Sequence, residues 1–154
     1  MQDIETERLL LHVNSLEETD MAIAKMKAAF QSEIKDVWNV VTSLDNTEWR
    51  SDISKIEVIS DKQFIEYTKD GYATIFTITV TKPFERWEFD MENSNMRGHW
   101  TGVFSIQNGQ TEIEFTEDVT AKKLIMKPFV KAYLKRQQKR YVLDLQKVLL
   151  KENF

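Results

Sequence analysis

The last stretch of the chain limits the fold more than any other. From Lys127 to Lys151 apolar and polar residues alternate with the period of an α-helix. At about 100° per residue, Val130, Tyr133, Leu134, Gln137, Tyr141, Asp144, Leu145, Val148 and Leu149 share one side. Lys131, Lys135, Arg136 and Lys139 share the other. Pro128 suits a first helical turn, where its missing N–H would have had no partner. Such a helix needs an apolar surface to lie on, because packing rather than propensity supplies most helical stability. The chain before it is mostly strand-like, so the expected surface is a curved sheet.

Met21–Phe30 reads as a strand leading to Ser32, which is expected to cap a helix carrying Ile34, Val37, Trp38 and Val41 on one face. That helix should end near Leu44. The Asn46–Asp52 stretch, with Trp49 in it, is expected to form a second short helix or a tight loop. Six strand-like runs follow: Ile53–Ser60, Gln63–Lys69, Ala73–Thr81, Phe84–Met91, Arg97–Gln107 and Thr111–Thr120.

Asp70-Gly71 and Asn108-Gly109 are dipeptides favoured in two-residue hairpins, because both members accept positive φ. A two-residue turn at Asn108-Gly109 sets Ile106 opposite Thr111, Phe104 opposite Ile113, Gly102 opposite Phe115 and Trp100 opposite Glu117. His99 and Asp118 then face each other on the other surface. A two-residue turn at Asp70-Gly71 pairs Ile65 with Phe76 and Tyr67 with Thr74. Since side chains alternate strictly along a strand, register decides which set is buried. The inner face expected from these registers holds Ile56, Val58, Ile65, Tyr67, Phe76, Ile78, Val80, Trp87, Phe89, Met91, Trp100, Phe104, Ile113 and Phe115.

Composition removes several function classes. The 154 residues suit one domain. A net charge of −4 gives no case for nucleic acid as a partner. The absence of cysteine excludes thiol catalysis, disulfides and cysteine-ligated metals, and two histidines make a zinc site unexpected. No phosphate-binding glycine loop or calcium loop is present. No apolar run is long enough to span a bilayer, so stable membrane insertion is not expected and a cytoplasmic setting is. Charge is uneven: residues 122–140 carry eight Lys or Arg and no acid, while residues 1–20 carry six acids and one arginine. A basic helix face is usually just solvated, and that is the expectation here. Residues 1–20 are set apart as an acidic N-terminal extension, and residues 21–154 as the folded domain. Ile4–Leu11 resembles the opening strand of N-acetyltransferases, but their glycine-rich acetyl-CoA loop is missing.

The element order is strand, one or two short helices, six antiparallel strands and a long helix, which is an α+β arrangement. With Phe30-Gln31-Ser32-Glu33-Ile34-Lys35-Asp36-Val37-Trp38, Trp49, the Gly98–Gly102 strand and the Lys127–Lys151 helix, the chain resembles the START-like (SRPBCC) helix-grip superfamily. This superfamily includes polyketide-cyclase-like proteins. The resemblance runs from about Met21 to Lys151. It implies a curved antiparallel sheet of seven strands wrapped around the C-terminal helix, with a cavity between them. It transfers no catalytic residue and no cofactor, because members share the cavity and not a reaction.

Polar groups expected on the inner face are the sharpest functional signal. Glu117 faces Trp100, Tyr67 lies on an inner strand position, and Gln137 and Tyr141 lie on the apolar arc of the helix. A carboxylate placed there needs water, a donor or a ligand. These four, with Trp49, Phe76, Trp87, Phe89, Trp100 and Tyr133 as aromatic wall, form the candidate ligand site. Asp144 is expected at the helix edge. The leading expectation is a carrier of a small hydrophobic molecule: a lipid, an aromatic or a polyketide-like compound. The alternatives are a cyclase- or hydratase-type enzyme using Glu117 as acid or base, with Tyr67 or Tyr141 as donor, and a protein-interaction module. A raised Glu117 pKa in a closed pocket would favour chemistry, and a cavity filled by its own side chains would favour the interaction module.

Overall fold

A computed structural model of the chain describes residues 21–152. The acidic extension and the acetyltransferase-like segment lie outside them. The chain runs β1 (Met21–Phe30), α1 (Ile34–Thr42), β2 (Ile53–Val58), β3 (Gln63–Thr68), β4 (Ala73–Lys82), β5 (Arg86–Glu92), β6 (Met96–Gln107), β7 (Gln110–Ala121), a 3-10 turn (Leu124–Phe129) and α2 (Val130–Glu152). The strands form one antiparallel sheet ordered β1-β7-β6-β5-β4-β3-β2. β1 therefore pairs with β7, while β2 is left at the far edge. The expected α+β helix-grip architecture, with its long C-terminal helix, is the one observed.

Each local departure has a physical reason. Pro128 sits inside the 3-10 turn, so α2 starts three residues later than expected, at Val130. The N-cap of α1 is Glu33, without a side-chain capping bond, and not Ser32. Ser32 is buried instead, and its carbonyl accepts a 2.6 Å hydrogen bond from Thr111 Oγ1. The Asn46–Asp52 stretch is a loop with one turn, closed by Arg50 N–H donating to the Thr47 carbonyl. α1 buries Val37, Trp38, Val40 and Val41, and Trp38 meets Phe104 edge-on at 4.9 Å.

The β6–β7 hairpin has the register its turn predicts, with Trp100 opposite Glu117 and Phe104 opposite Ile113. Asn108 (φ 53°) and Gly109 (φ 75°) both take the left-handed conformation such a turn needs. The β3–β4 hairpin does not follow the prediction. Thr68 N–H donates to the Tyr72 carbonyl and Gly71 N–H to the Thr68 carbonyl, so three residues, Lys69 to Gly71, form the loop. Only Gly71 has positive φ (82°). The pairing becomes Phe64 with Phe76 and Tyr67 with Ala73. One extra loop residue exchanges the two faces of β3: Phe64 and Glu66 turn inward, Ile65 and Tyr67 outward. Val80 also leaves the inner face, because a bulge after Ile78 puts it opposite Glu88. Val58, opposite Phe64 on the edge strand, remains half exposed.

α2 lies mainly along β1, and Ala24 on β1 and Ala121 on neighbouring β7 are small enough for Val130 and Leu134 to close on the sheet. Leu145 and Leu149 meet the larger cluster around α1. Over the β2–β5 half of the sheet the helix stands off, and the 43–53 loop bridges the gap. That separation is what creates a hollow.

Candidate functional site

The concave face carries an unbroken run of aromatic rings. Phe64 stacks on Phe76 at 4.9 Å, Phe76 meets Phe89 at 5.2 Å, and Phe89 stacks on Trp100 at 4.9 Å. The run continues through Phe115 to Tyr141 on α2 and from there to Trp49 in the loop. Gly102 makes this possible at its centre: a Cβ there would collide with the Trp100 ring. Between this wall, α2 and the loop lies a cavity of about 200 Å³.

Of the residues proposed from the sequence, Trp49, Phe76, Trp87, Phe89, Trp100, Glu117, Tyr133, Gln137 and Tyr141 line it. Tyr67 does not. On the outer face its hydroxyl donates to Glu57 Oε2 at 2.8 Å and its ring lies under Lys55 Nζ.

Among the further polar residues that line the cavity without having been singled out are Arg50, Asp52, Glu66 and Gln138. Arg50 Nε and Nη2 each donate to Asp52 at 2.9 Å, while Nη1 and Nη2 donate to Glu66 at 3.2 and 3.3 Å. Burial by itself would lower the Arg50 pKa, but Glu66 and Asp52 more than reverse this, so the guanidinium stays charged. Burial would raise Asp52, but the bond from Arg50 holds it below the usual carboxylate range. The loop bearing Trp49 and Arg50 is pinned by Asp144, which accepts from Ser51 N–H at 2.9 Å and Ser51 Oγ–H at 2.7 Å. Asp144 is thus buried and structural, not an edge residue.

Glu117 occupies the floor. Burial among the rings pushes its carboxyl up to about 7, against the opposing pull of the Gln138 amide and the Arg50 charge. It lines the cavity. Burial also raises Tyr141 and Tyr133, so both phenols remain neutral donors. Gln138 is 1% exposed and its Nε2 donates to the Ala24 carbonyl at 2.9 Å. Among the described residues, the buried polar side-chain atoms without a partner are Trp49 Nε1, Gln138 Oε1 and Asp118 Oδ1. Two of the three belong to residues of the cavity wall.

His99 and Asp118 face each other as the turn requires, but the His99 ring bonds to the strand on its other side. His99 Nδ1 meets Asp90 at 2.7 Å and Nε2 meets Glu88 at 2.8 Å, both from β5. Among the described residues no group of three or more His, Cys, Asp or Glu could hold a metal ion, and no helix is long and apolar enough to cross a membrane.

No protein-family model matches the sequence, and neither does any curated protein. Solved structures do match. A START superfamily protein from Mycobacterium smegmatis superposes with a TM-score of 0.74 at 10% identity, over 84% of this chain and 97% of that one. A conserved protein from Geobacillus kaustophilus gives 0.70 at 13% identity, over 85% and 95%. CalU16 from Micromonospora echinospora gives 0.60 at 10% identity, over 84% and 79%. At such identities the likeness concerns the fold, and the fold of this chain is the START-like helix grip.

Proposed function

We propose that the protein binds a small, largely apolar molecule in the cavity between sheet and α2. The observation that carries this reading is the hollow itself, an aromatic wall with Glu117, Gln137 and Tyr141 set among its rings. A mostly apolar hollow on which a few polar groups converge is the usual form of a small-molecule site. Burial of apolar surface against the Phe76, Phe89 and Trp100 rings drives binding, and Glu117, Gln138, Trp49 and Tyr141 orient the guest. A cavity of about 150 Å³ already holds a benzene ring, so about 200 Å³ suits one or two fused rings. Native mass spectrometry of freshly purified protein is the test. A co-purifying molecule is expected, and Tyr141→Leu or Glu117→Ala should weaken its retention with the fold intact. Unchanged retention in both variants would count against the site.

A second reading, an enzyme of the cyclase or hydratase kind, is favoured by Glu117 itself. A carboxyl held near 7 is half protonated at neutral pH and serves equally as acid or base. Tyr141, not Tyr67, is then the neutral hydrogen-bond donor. In that case Glu117→Gln keeps binding and loses turnover, whereas a pure carrier has no turnover to lose. The interaction-module reading called for a cavity filled by its own side chains, and the hollow takes that support away.

A further inference from the structure

The charges around the cavity constrain its guest more tightly than its shape does. We propose that the cavity selects by charge, taking a protonated aromatic amine in preference to the neutral analogue and excluding the corresponding carboxylate. This rests on the cavity being the binding site, as proposed above.

The charged groups that line it come from the loop and the sheet. Arg50 and Asp52 belong to the loop, Glu66 to β3, Glu92 to β5 and Glu117 to β7. Arg50 is the only cation among them. Its donors are already committed: Nε, Nη1 and both hydrogens of Nη2 go to Asp52 and Glu66, which leaves one N–H of five. Within the cavity wall this sets one positive charge against two carboxylates before Glu117 is counted; Arg140, exposed on α2 and bonded to Ser51, offsets Asp52 only from outside the cavity. Glu92 is matched by Lys122 at 2.8 Å and adds nothing of the opposite sign. An entering carboxylate would therefore be desolvated beside surplus negative charge with one spare donor from Arg50, an arrangement that repels it.

An ammonium meets the reverse. The Glu117 carboxylate lines the cavity and supplies a counter-charge.

The pairing is pH-dependent, since Glu117 titrates near 7 while the groups facing it do not. Arg50 stays charged, Asp52 is held below its ordinary range, and Tyr133 and Tyr141 are raised above theirs. An ammonium prefers ionised Glu117, so its affinity should rise about tenfold from pH 6 to pH 8 with release of a proton. The affinity of a neutral guest should not.

Three probes of one shape test this: 2-(aminomethyl)naphthalene, 2-(hydroxymethyl)naphthalene and 2-naphthoate. Calorimetric titration at pH 6 and pH 8 in low salt should rank ammonium over alcohol by about tenfold at pH 8, with the carboxylate weakest. Repeating the pH 6 titration in two buffers of different protonation enthalpy reads the released proton directly in the wild-type protein, without relying on a variant. Glu117→Gln should still bind the alcohol and should lose the ammonium preference. Equal affinity for all three probes, or a carboxylate that binds best, overturns the charge selection while leaving the cavity as a site. No binding by any of them would overturn the site as well.

Discussion

The sheet carries two clusters in which one base sits between two carboxylates. On the concave side Arg50 joins Asp52 and Glu66. On the convex side His99 joins Glu88 and Asp90. The connectivity is alike and the surroundings are not. The Arg50 and Glu66 side chains are 14% and 15% exposed, whereas His99 is 32% and Asp90 60% exposed. Water does for the outer cluster what only exact partners can do for the inner one. The inner cluster therefore constrains what the cavity can admit, while the outer one adjusts stability slightly.

The sharpest way to break this contrast is to delete the inner base. Arg50→Met leaves Asp52 and Glu66 facing the hollow without their cation. The loss should be about 3–5 kcal/mol of unfolding free energy by denaturant titration. A loss below about 1 kcal/mol would mean that water reaches the inner carboxylates as freely as the outer ones.

The pH dependence of stability comes next. Folded Glu117 keeps its proton to about 7, while its unfolded counterpart releases it near the ordinary value of 4.5. Between those values the folded state binds more protons, so stability falls as pH rises through this window and is level above it. At about 1.4 kcal/mol per pKa unit, the fall attributable to Glu117 is at most about 3.5 kcal/mol. The difference between wild type and Glu117→Gln, followed from pH 4.5 to 7.5, should show it. A constant difference would place the carboxyl in water.

The smallest effect belongs to the outer base. Burial would lower the His99 pKa, but Glu88 and Asp90 raise it overall. Its stabilising contribution is then complete below the unfolded value of about 6.5 and disappears as pH rises through the raised folded value. His99→Gln should cost about 1 kcal/mol or less at pH 6 and nothing at high pH.

The same two faces show what the sequence could convey. The last hairpin was legible because Asn108-Gly109 admits one tight turn, and that turn brought Trp100 and Glu117 together. Most of the aromatic wall followed from it. The β3–β4 hairpin misled because Asp70-Gly71 also fits a three-residue loop with glycine last, and strand alternation turned that single residue into an exchange of Tyr67 for Glu66. The Arg50 cluster was hidden for the same reason: without Glu66 facing inward, Arg50 reads as a loop cation bound for solvent. Helical periodicity favoured Gln137 over its neighbour, yet α2 leans toward β1 and buries Gln138 there. A bulge such as the one before Val80 leaves no mark in the alternation of one strand, since it is set by the pairing of two.

The central claim is that the sheet and α2 enclose a hollow that accepts a small ring. The indole N–H of Trp49 is its most direct reporter, because Trp49 lines the cavity and meets Tyr141 edge-on at 5.3 Å. Four tryptophans give four indole signals in a nitrogen–proton spectrum, and Trp49→Phe assigns the one that matters. Titration with 2-(hydroxymethyl)naphthalene should move the Trp49 signal saturably while that of Trp38, on the buried face of α1 and outside the cavity lining, stays in place. A Trp49 signal that does not move up to the solubility limit of the probe would contradict the account.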